Sequence, residues 1–594
     1  MFSQDDSPVS PHATLPHPYT NATMKILKFT LGLCLGLLLI ALPFSQFQHS
    51  PLEPLQTMVV QEGGRKKPLD TVAKETVAKI YGRTTYKHDN ISEGPMETFL
   101  SLWLNNRNWN EEPFVLFSYR PLKESIGVNP DQKYFSFQEL MTNKSLGDVV
   151  RSAHNKELAG DEPSRDEREA MALEDRLTLM LSMVDDNAIA VVPHPSDLKG
   201  KWLGITEAQS LYAAESVAPL MATFAMMKQT FLSGTNHLPM LTPLAASLQD
   251  GLRSLSPEVY PVVGAVNQEV FFNHFHPFAK AWQLYGLAFV VMLFTVWVKR
   301  LDSFYWTSIG LFVAGVAVQS YGFWLRMQIA GRPPVTNMYE SVVWVGFGIS
   351  AIALTFELIY RAKYYLLAAA PLSVMCLILA DSLPAVLDPS ISPLVPVLRD
   401  NFWLSIHVPT IALSYASFAL ALGIGHVALG SYLFSPQAKS RIQLLSRLNY
   451  NVLQVGVLLL TAGIILGGIW AHFSWGRFWG WDPKETWALI ALLCYLVPLH
   501  GRLVGWIGNF GISVASVVAF NAVLMAWYGV NFVLGTGLHS YGFGTGGSEW
   551  MIAGVVGADL LFVLAATARY KGWFTSGDAS LADVVTAAPN PSGN

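Results

Sequence analysis

Residues 475 to 487 read WGRFWGWDPKETW, which sets Trp475, Phe478, Trp479, Trp481 and Trp487 around a single acid, Asp482. Gly476 and Gly480 keep the backbone open, and Asp482-Pro483 closes the stretch. Aromatic faces at this density make a flat, apolar, polarizable platform with few rotatable bonds, suited to a flat macrocycle such as haem. The competing reading is an interfacial aromatic belt, which many membrane proteins carry, although belt residues are usually scattered over several helix ends. Two histidines bracket the stretch in sequence: His407, in FWLSIHVPTIALSY, and His539, in GVNFVLGTGLHSYGFG. A neutral imidazole is a good iron ligand, and two facing imidazoles give a six-coordinate haem. A third, His500 in YLVPLHGRL, lies 15 residues beyond Glu485. That is roughly 22 Å along a helix at about 1.5 Å per residue, too far to share an iron with the other two. For any one of these histidines alone, an interhelical hydrogen bond is the competing reading.

The elements that must position these residues are membrane helices. The chain has 594 residues, 51% hydrophobic and only 14% charged, with a positive mean hydropathy. Its net charge of −4 gives no support to a nucleic-acid partner. A spanning helix needs about 20 mostly apolar residues. Runs near 26–44, 280–298, 304–324, 341–360, 364–381, 403–434, 451–472, 485–500, 510–534 and 550–568 qualify. The expected fold is therefore all-α, a polytopic transmembrane bundle of about ten spans. The first span follows polar residues and has only a weak small-residue cleavage pattern, so it is expected to be an uncleaved anchor. Cys34, Cys376 and Cys494 all fall in apolar runs, share no CxxC spacing and are expected to be buried and structural. The chain has no CxxCH, so it is not expected to carry covalently attached haem itself.

Positive charges orient the bundle. Lys25, Lys28, Lys299, Arg300, Arg361, Lys363, Lys439, Arg441, Arg447, Arg502, Arg569 and Lys571 fall on one side if both termini are cytoplasmic. The Trp-rich segment, the loops 325–340, 382–402 and 535–549, and residues 45–279 then face outward. The expected division is a cytoplasmic tail 1–25, an anchor 26–44, an extracytoplasmic segment 45–279 of unknown role, a haem-handling bundle 280–570 and a disordered tail 571–594. Segment 45–279 holds most of the charge. It reads as mostly helical, with a solvated helix at DEPSRDEREAMALEDR, 161–176. Its His88, His154, His194 and His237 read as surface histidines.

Several motifs in one order resemble the CcsA/ResC family of cytochrome c synthesis proteins. WGRFWGWDPKETW looks like the family's tryptophan-rich WWD signature. PVTNMYES (334–341), FWLSIHVPTIALSYASFALA (402–421), LHGR (499–502) and GVNFVLGTGLHSYGF (529–543) support it. The resemblance covers about half the chain, 280 to 570. It implies that His407 and His539 are the outer axial ligands of haem b. It further implies that Trp475, Trp479, Trp481 and Asp482 line the outer site, and that His500 is a transmembrane haem ligand on the inner side. It also implies system II cytochrome c biogenesis in the cell inner membrane: haem is carried to the outer face and presented to apocytochrome c CxxCH thiols for thioether formation. A ResB/CcsB-like membrane partner and a thioredoxin-like thiol reductant would assist.

The chain departs from the family in showing no ResB-like region. The second inner ligand is therefore expected from a separate partner, with His426 as the internal candidate. His472, just ahead of the Trp-rich segment, is expected either to contact a propionate or to cap its helix. Two other functions compete. A haem exporter or chaperone would hand haem on without ligating it. A quinol oxidoreductase membrane subunit would keep its haem, with ligand pairs inside helices at two depths; here the outer pair sits at a span edge and in a loop.

Overall fold

The computed structural model describes residues 18–41, 52–88, 91–183, 187–234, 238–298, 304–384, 386–394, 396–535, 537, 539 and 549–573. His237, Lys299, Arg300, most of the loop 535–549 and nearly all of the C-terminal tail lie outside them.

The protein is a multi-pass membrane protein built as an all-α bundle. Among the described residues, ten helices are long and apolar enough to cross a membrane: Thr23–Ala41, Val263–Trp297, Tyr305–Ala330, Met338–Tyr360, Tyr364–Ser382, Asn401–Phe434, Lys439–Trp475, Pro483–Leu503, Asn509–Leu534 and Glu549–Tyr570. They are numbered here as the first to tenth spans. Several begin or end at a cap or a left-handed residue. Asn337 caps the fourth span and Asp400 the sixth through side-chain oxygens. Gly331 and Gly476 end the third and seventh in left-handed conformations, where a Cβ would strain the backbone. Side chains from Phe275 to Ala566 form the bundle's apolar core.

Three differences from the sequence-based expectation have physical causes. The second span starts 17 residues earlier than the apolar run near 280, at Val263, and turns at His276 (φ 46°) between Val263–Phe275 and Pro277–Trp297. Pro277 lacks the N–H that a continuous helix would use. The ninth span is not one regular helix: it passes from Asn509–Val518 through Phe520–Leu524 into a π-helix, Met525–Leu534. Of the three cysteines only Cys376 is buried; Cys34 and Cys494 are exposed on the outer surface of the bundle. The first span shows why, since only 11% of its apolar window is buried inside the protein, so an apolar residue there is one that faces the surroundings of the bundle.

Residues 52 to 262 form a head segment with its own apolar cluster, from Leu52 to Val266. It is mostly helical, as expected, and Arg165–Ser182 is the helix expected at 161–176, begun by a Ser164/Glu167 capping box. Among the described residues it also carries three two-stranded antiparallel sheets: Val59–Glu62 with Arg65–Pro68, Tyr86–His88 with Ile91–Glu93, and Pro113–Leu116 with Tyr134–Ser136. Strands of three or four residues are too short to show a period-2 pattern in sequence. His88 faces Glu112 at 3.2 Å and His154 faces Glu174 at 2.8 Å. The ring of His194 accepts the backbone N–H of Asp197.

One buried ion pair ties PVTNMYES to the third span. Arg326 Nε donates to Glu340 Oε1 at 2.7 Å, with side chains 2% and 1% exposed. The other Glu340 oxygen accepts both the N–H and the Oγ1–H of Thr336 at 2.7 Å. Asn337 Oδ1 accepts the Glu340 N–H, and Arg326 Nη2 reaches Pro389 O. Glu340→Ala leaves a buried guanidinium without its carboxylate, so we expect a loss of about 3–5 kcal/mol, read as lowered thermal stability in detergent. Arg326→Met with Glu340→Leu should recover most of it, and a double variant as weak as the single one would refute the ion-pair account.

Candidate functional site

Two histidines are anchored by the same ring nitrogen. His407, one turn inside the sixth span, donates Nδ1–H to the carbonyl of Gly463 on the seventh span at 2.9 Å. Gly467 makes room for the ring, since a Cβ there would lie 2.5 Å from His407 Cε1. His539 donates Nδ1–H to Asp482 Oδ1 at 2.9 Å. Both partners are acceptors only, which fixes the tautomer and leaves the Nε2 lone pair of each ring available.

Asp482 has two tasks. It is the N-cap of the eighth span, with Oδ1 accepting the Lys484 N–H at 2.9 Å, Pro483 in the first turn and Glu485 completing a capping box. Glu485 also accepts the Gly480 N–H, which folds the Trp-rich loop back onto the helix start. The spacing D-P-x-E is thus a helix-start signal, and the same carboxylate holds His539. The chain reaches His539 by passing close over Asp482: a Cβ on Gly537 (φ 100°) would sit 2.4 Å from Asp482 Oδ2.

His407, His539, Trp475 and Lys484 line one cavity of about 180 Å³, with Trp470, Tyr415 and Ser341 from neighbouring spans. The π-helix contributes Trp527 and Asn531; Trp527 Nε1 donates to Ser341 Oγ and Asn531 Nδ2 to Trp527 O. Trp475 meets His539 edge-on, ring centres 5.0 Å apart, and Trp470 meets His407 edge-on at 5.7 Å. Trp479 and Trp481 stand outside this cavity, perpendicular to each other at 5.8 Å. Trp481 has φ 57° and is 70% exposed.

The other histidines lie apart. His500 is exposed near the far end of the eighth span, with Nδ1 donating to Leu496 O at 2.9 Å. His426 uses both nitrogens, Nδ1 to Leu422 O at 2.9 Å and Nε2 to Asp559 Oδ1 at 3.1 Å, and stacks on Phe562. Neither nitrogen is then free for a metal. His472 does as a helix end does: its carbonyl accepts the Gly476 N–H, while its ring is exposed beside Phe473.

Sequence reasoning missed Asp559, Gly467 and the π-helix residues. Asp559 was visible as a lone acid in an apolar run, a pattern that leans functional. The π-helix left no such mark.

Residues 335–539, from the PVTNMYES motif to His539, match the family described as Cytochrome C assembly protein. The chain is 36% identical over 255 residues to a cytochrome c biogenesis protein CcsA of a Synechococcus species, covering 37% of this chain and 82% of that one. It is 38% identical over 251 residues to CcsA of Prochlorococcus marinus, 37% and 79%. It is also 28% identical over 509 residues to protein NrfI of Wolinella succinogenes, 82% of this chain but only 54% of NrfI; the chain thus spans about half of that relative. The chain belongs to the CcsA family of cytochrome c biogenesis proteins, and that membership implies involvement with haem. Because residues 280–594 are only about half of the chain, the NrfI likeness also extends into the head segment.

Asp482→Asn should keep the helix cap, since Asn caps about as well as Asp, but replace the anionic partner of His539. Stability in detergent should change by less than about 0.5 kcal/mol, and if His539 ligates haem, haem affinity should fall roughly 10–100-fold, the usual loss for an outer partner of a metal-ligating histidine. An unchanged affinity would separate Asp482 from the site. Asp482→Ala should in addition lose about 1 kcal/mol of stability.

Proposed function

We propose that this protein binds haem b between His407 and His539 and presents it for covalent attachment to apocytochrome c. One observation carries the reading: two imidazoles, each anchored through Nδ1 and with Nε2 unbonded among the described residues, line one cavity beside Trp475. At about 180 Å³ the cavity is below the roughly 300–1,000 Å³ of pockets that enclose a ligand. A porphyrin held there would project from it, which suits a site that offers an edge for reaction and then releases the product.

The chain's own residues would act mainly by positioning. His407 and His539 hold the iron, Asp482 and Gly463 hold the imidazoles, and Trp475 shields one side. Trp479 and Trp481 on the exposed loop offer aromatic surface to the projecting ring or to the incoming polypeptide. Each cysteine S–H of a CxxCH segment adds across a vinyl C=C, sulfur to one carbon and hydrogen to the other, with no net oxidation. The CxxCH histidine then displaces one of the two axial imidazoles and the product leaves. The thiols must arrive reduced, which calls for a thioredoxin-like reductant. We place this chemistry on the outer face of the inner membrane, with both termini cytoplasmic, as a system II synthase component.

His500 takes haem up on the inner side. Its exposed position and its Nε2 facing away from the Leu496 carbonyl fit a ligand shared with a second membrane protein of the ResB/CcsB kind. The engagement of His426 with Asp559 supports a partner, rather than this chain, as the source of the second inner ligand.

His407→Ala and His539→Ala should each abolish thioether formation on a co-expressed CxxCH reporter, and added imidazole should partly restore it. Full maturation in both variants would overturn the assignment, and haem export without ligation by the wild type would favour the chaperone function. His500→Ala should lower haem content per folded protein while leaving the anchored pair intact. A role limited to an interhelical hydrogen bond predicts normal haem loading and a stability loss of only about 0.6 kcal/mol.

A further inference from the structure

We infer that a second cavity, between the head segment and the bundle, holds an oxyanion at Arg332, Arg65 and Lys74, and that the carboxylate edge of the haem supplies it. This rests on the reading of His407 and His539 as the haem ligands. The cavity has a volume of about 660 Å³ and is lined from the Arg65 hairpin, the helix Leu69–Tyr81 and the loops at 326–339 and 384–398.

Its acids are already matched. Glu269 receives two hydrogen bonds from Arg65, at 2.7 and 2.8 Å, and one from Thr71. Glu62 and Glu75 both pair with Lys67. Asp388 accepts the N–H and Oγ–H of Ser390, and Asp175 is exposed. Its bases are not all matched. Arg332 donates one Nη2 bond to Ser392 O, and its Nε is buried with no acceptor among the described residues. Arg65 Nε is likewise buried and unbonded. Lys74 is half-buried and makes no hydrogen bond or ion pair among the described residues. Burial, with Arg326 and Arg65 nearby, outweighs Glu340 and holds the Arg332 guanidinium below its ordinary value; burial, with Arg326 nearby, likewise outweighs Asp70, Asp381 and Glu75 and lowers Lys74. Buried donors without acceptors are rare. Arg332, Arg65 and Lys74 line one cavity, and their remaining N–H groups form a charge-assisted site for a carboxylate or phosphate.

The neighbouring cavity identifies the source. Thr336, Asn337, Met338 and Leu398 line both the space beside His407 and His539 and this one, so the two share a wall. Haem b carries both its carboxylates on one edge and its vinyl groups away from them. Anchoring the carboxylate edge toward Arg332 turns the vinyl edge outward, to where the cysteines must arrive. The site would therefore set which edge of the macrocycle is presented.

The test is a titration of the full-length protein in detergent with haem b and with haem b dimethyl ester, followed by the bis-imidazole absorption bands. The wild type should bind the free acid about tenfold or more tightly than the ester, as expected for charge-assisted hydrogen bonds. Arg332→Gln and Lys74→Met should bring the two affinities together without moving the bands. Equal affinities in the wild type, a comparison that needs no variant, would overturn the inference, as would an undiminished preference in both variants. So would loss of phosphatidylglycerol binding from nanodiscs in the variants with the acid-to-ester ratio unmoved, which would assign the donors to a lipid phosphate. Absence of bis-imidazole bands with either porphyrin would instead refute the proposed axial pair.

Discussion

One carboxylate oxygen, Oδ1 of Asp482, accepts from both the first turn of the eighth span and the ring of His539. A helix N-terminus presents unpaired N–H groups that an acid satisfies well. The cap therefore fixes Asp482 in place through the rigid helix behind it. An imidazole on a loop gains from that rigidity a defined tautomer and direction. The rest of the Trp-rich segment follows from the same point: Glu485 draws Gly480 back toward the cap, and Gly537 allows the later loop to pass directly over the carboxylate. Moving Asp482 would disturb a helix start, a loop and the His539 ring together.

The other imidazole depends on close helix packing. In an apolar surrounding, helices associate through small residues that let backbones approach. Gly463 supplies the carbonyl that His407 needs, and Gly467 the space for its ring. The third wall comes from the π-helix, whose wider turn brings Trp527 and Asn531 to the cavity. Such departures from α-geometry recur at functional sites.

The head segment contributes more than bulk. Its Arg65 hairpin and the helix carrying Lys74 complete a cavity whose other side is built by membrane-edge loops. The likeness to NrfI also extends beyond the bundle. The Arg326–Glu340 pair stands beside this cavity and stiffens the PVTNMYES turn, part of which forms the wall shared with the His407 space. A buried pair needs its further donors and acceptors matched: Thr336 donates its N–H and Oγ1–H to Glu340, and Pro389 O accepts from Arg326 Nη2.

The sequence by itself determined the ten spans and the family, because long apolar runs must be helical where water cannot satisfy the backbone and because the WWD, PVTNMYES and LHGR motifs are local strings. It also pointed to His407 and His539 as a pair and separated His500 from them by helix length alone. It could not show that Trp475 lines the cavity while Trp481 faces outward, since that turns on a left-handed backbone at Trp481. Nor could it show that His426 is taken by Asp559, 133 residues away, that three short two-stranded sheets lie in the head segment, or that an arginine-lined cavity lies between that segment and the bundle. Periodicity reports which face of a helix is apolar. Which nitrogen of a ring is free, and which donor lacks an acceptor, is decided only when distant segments meet.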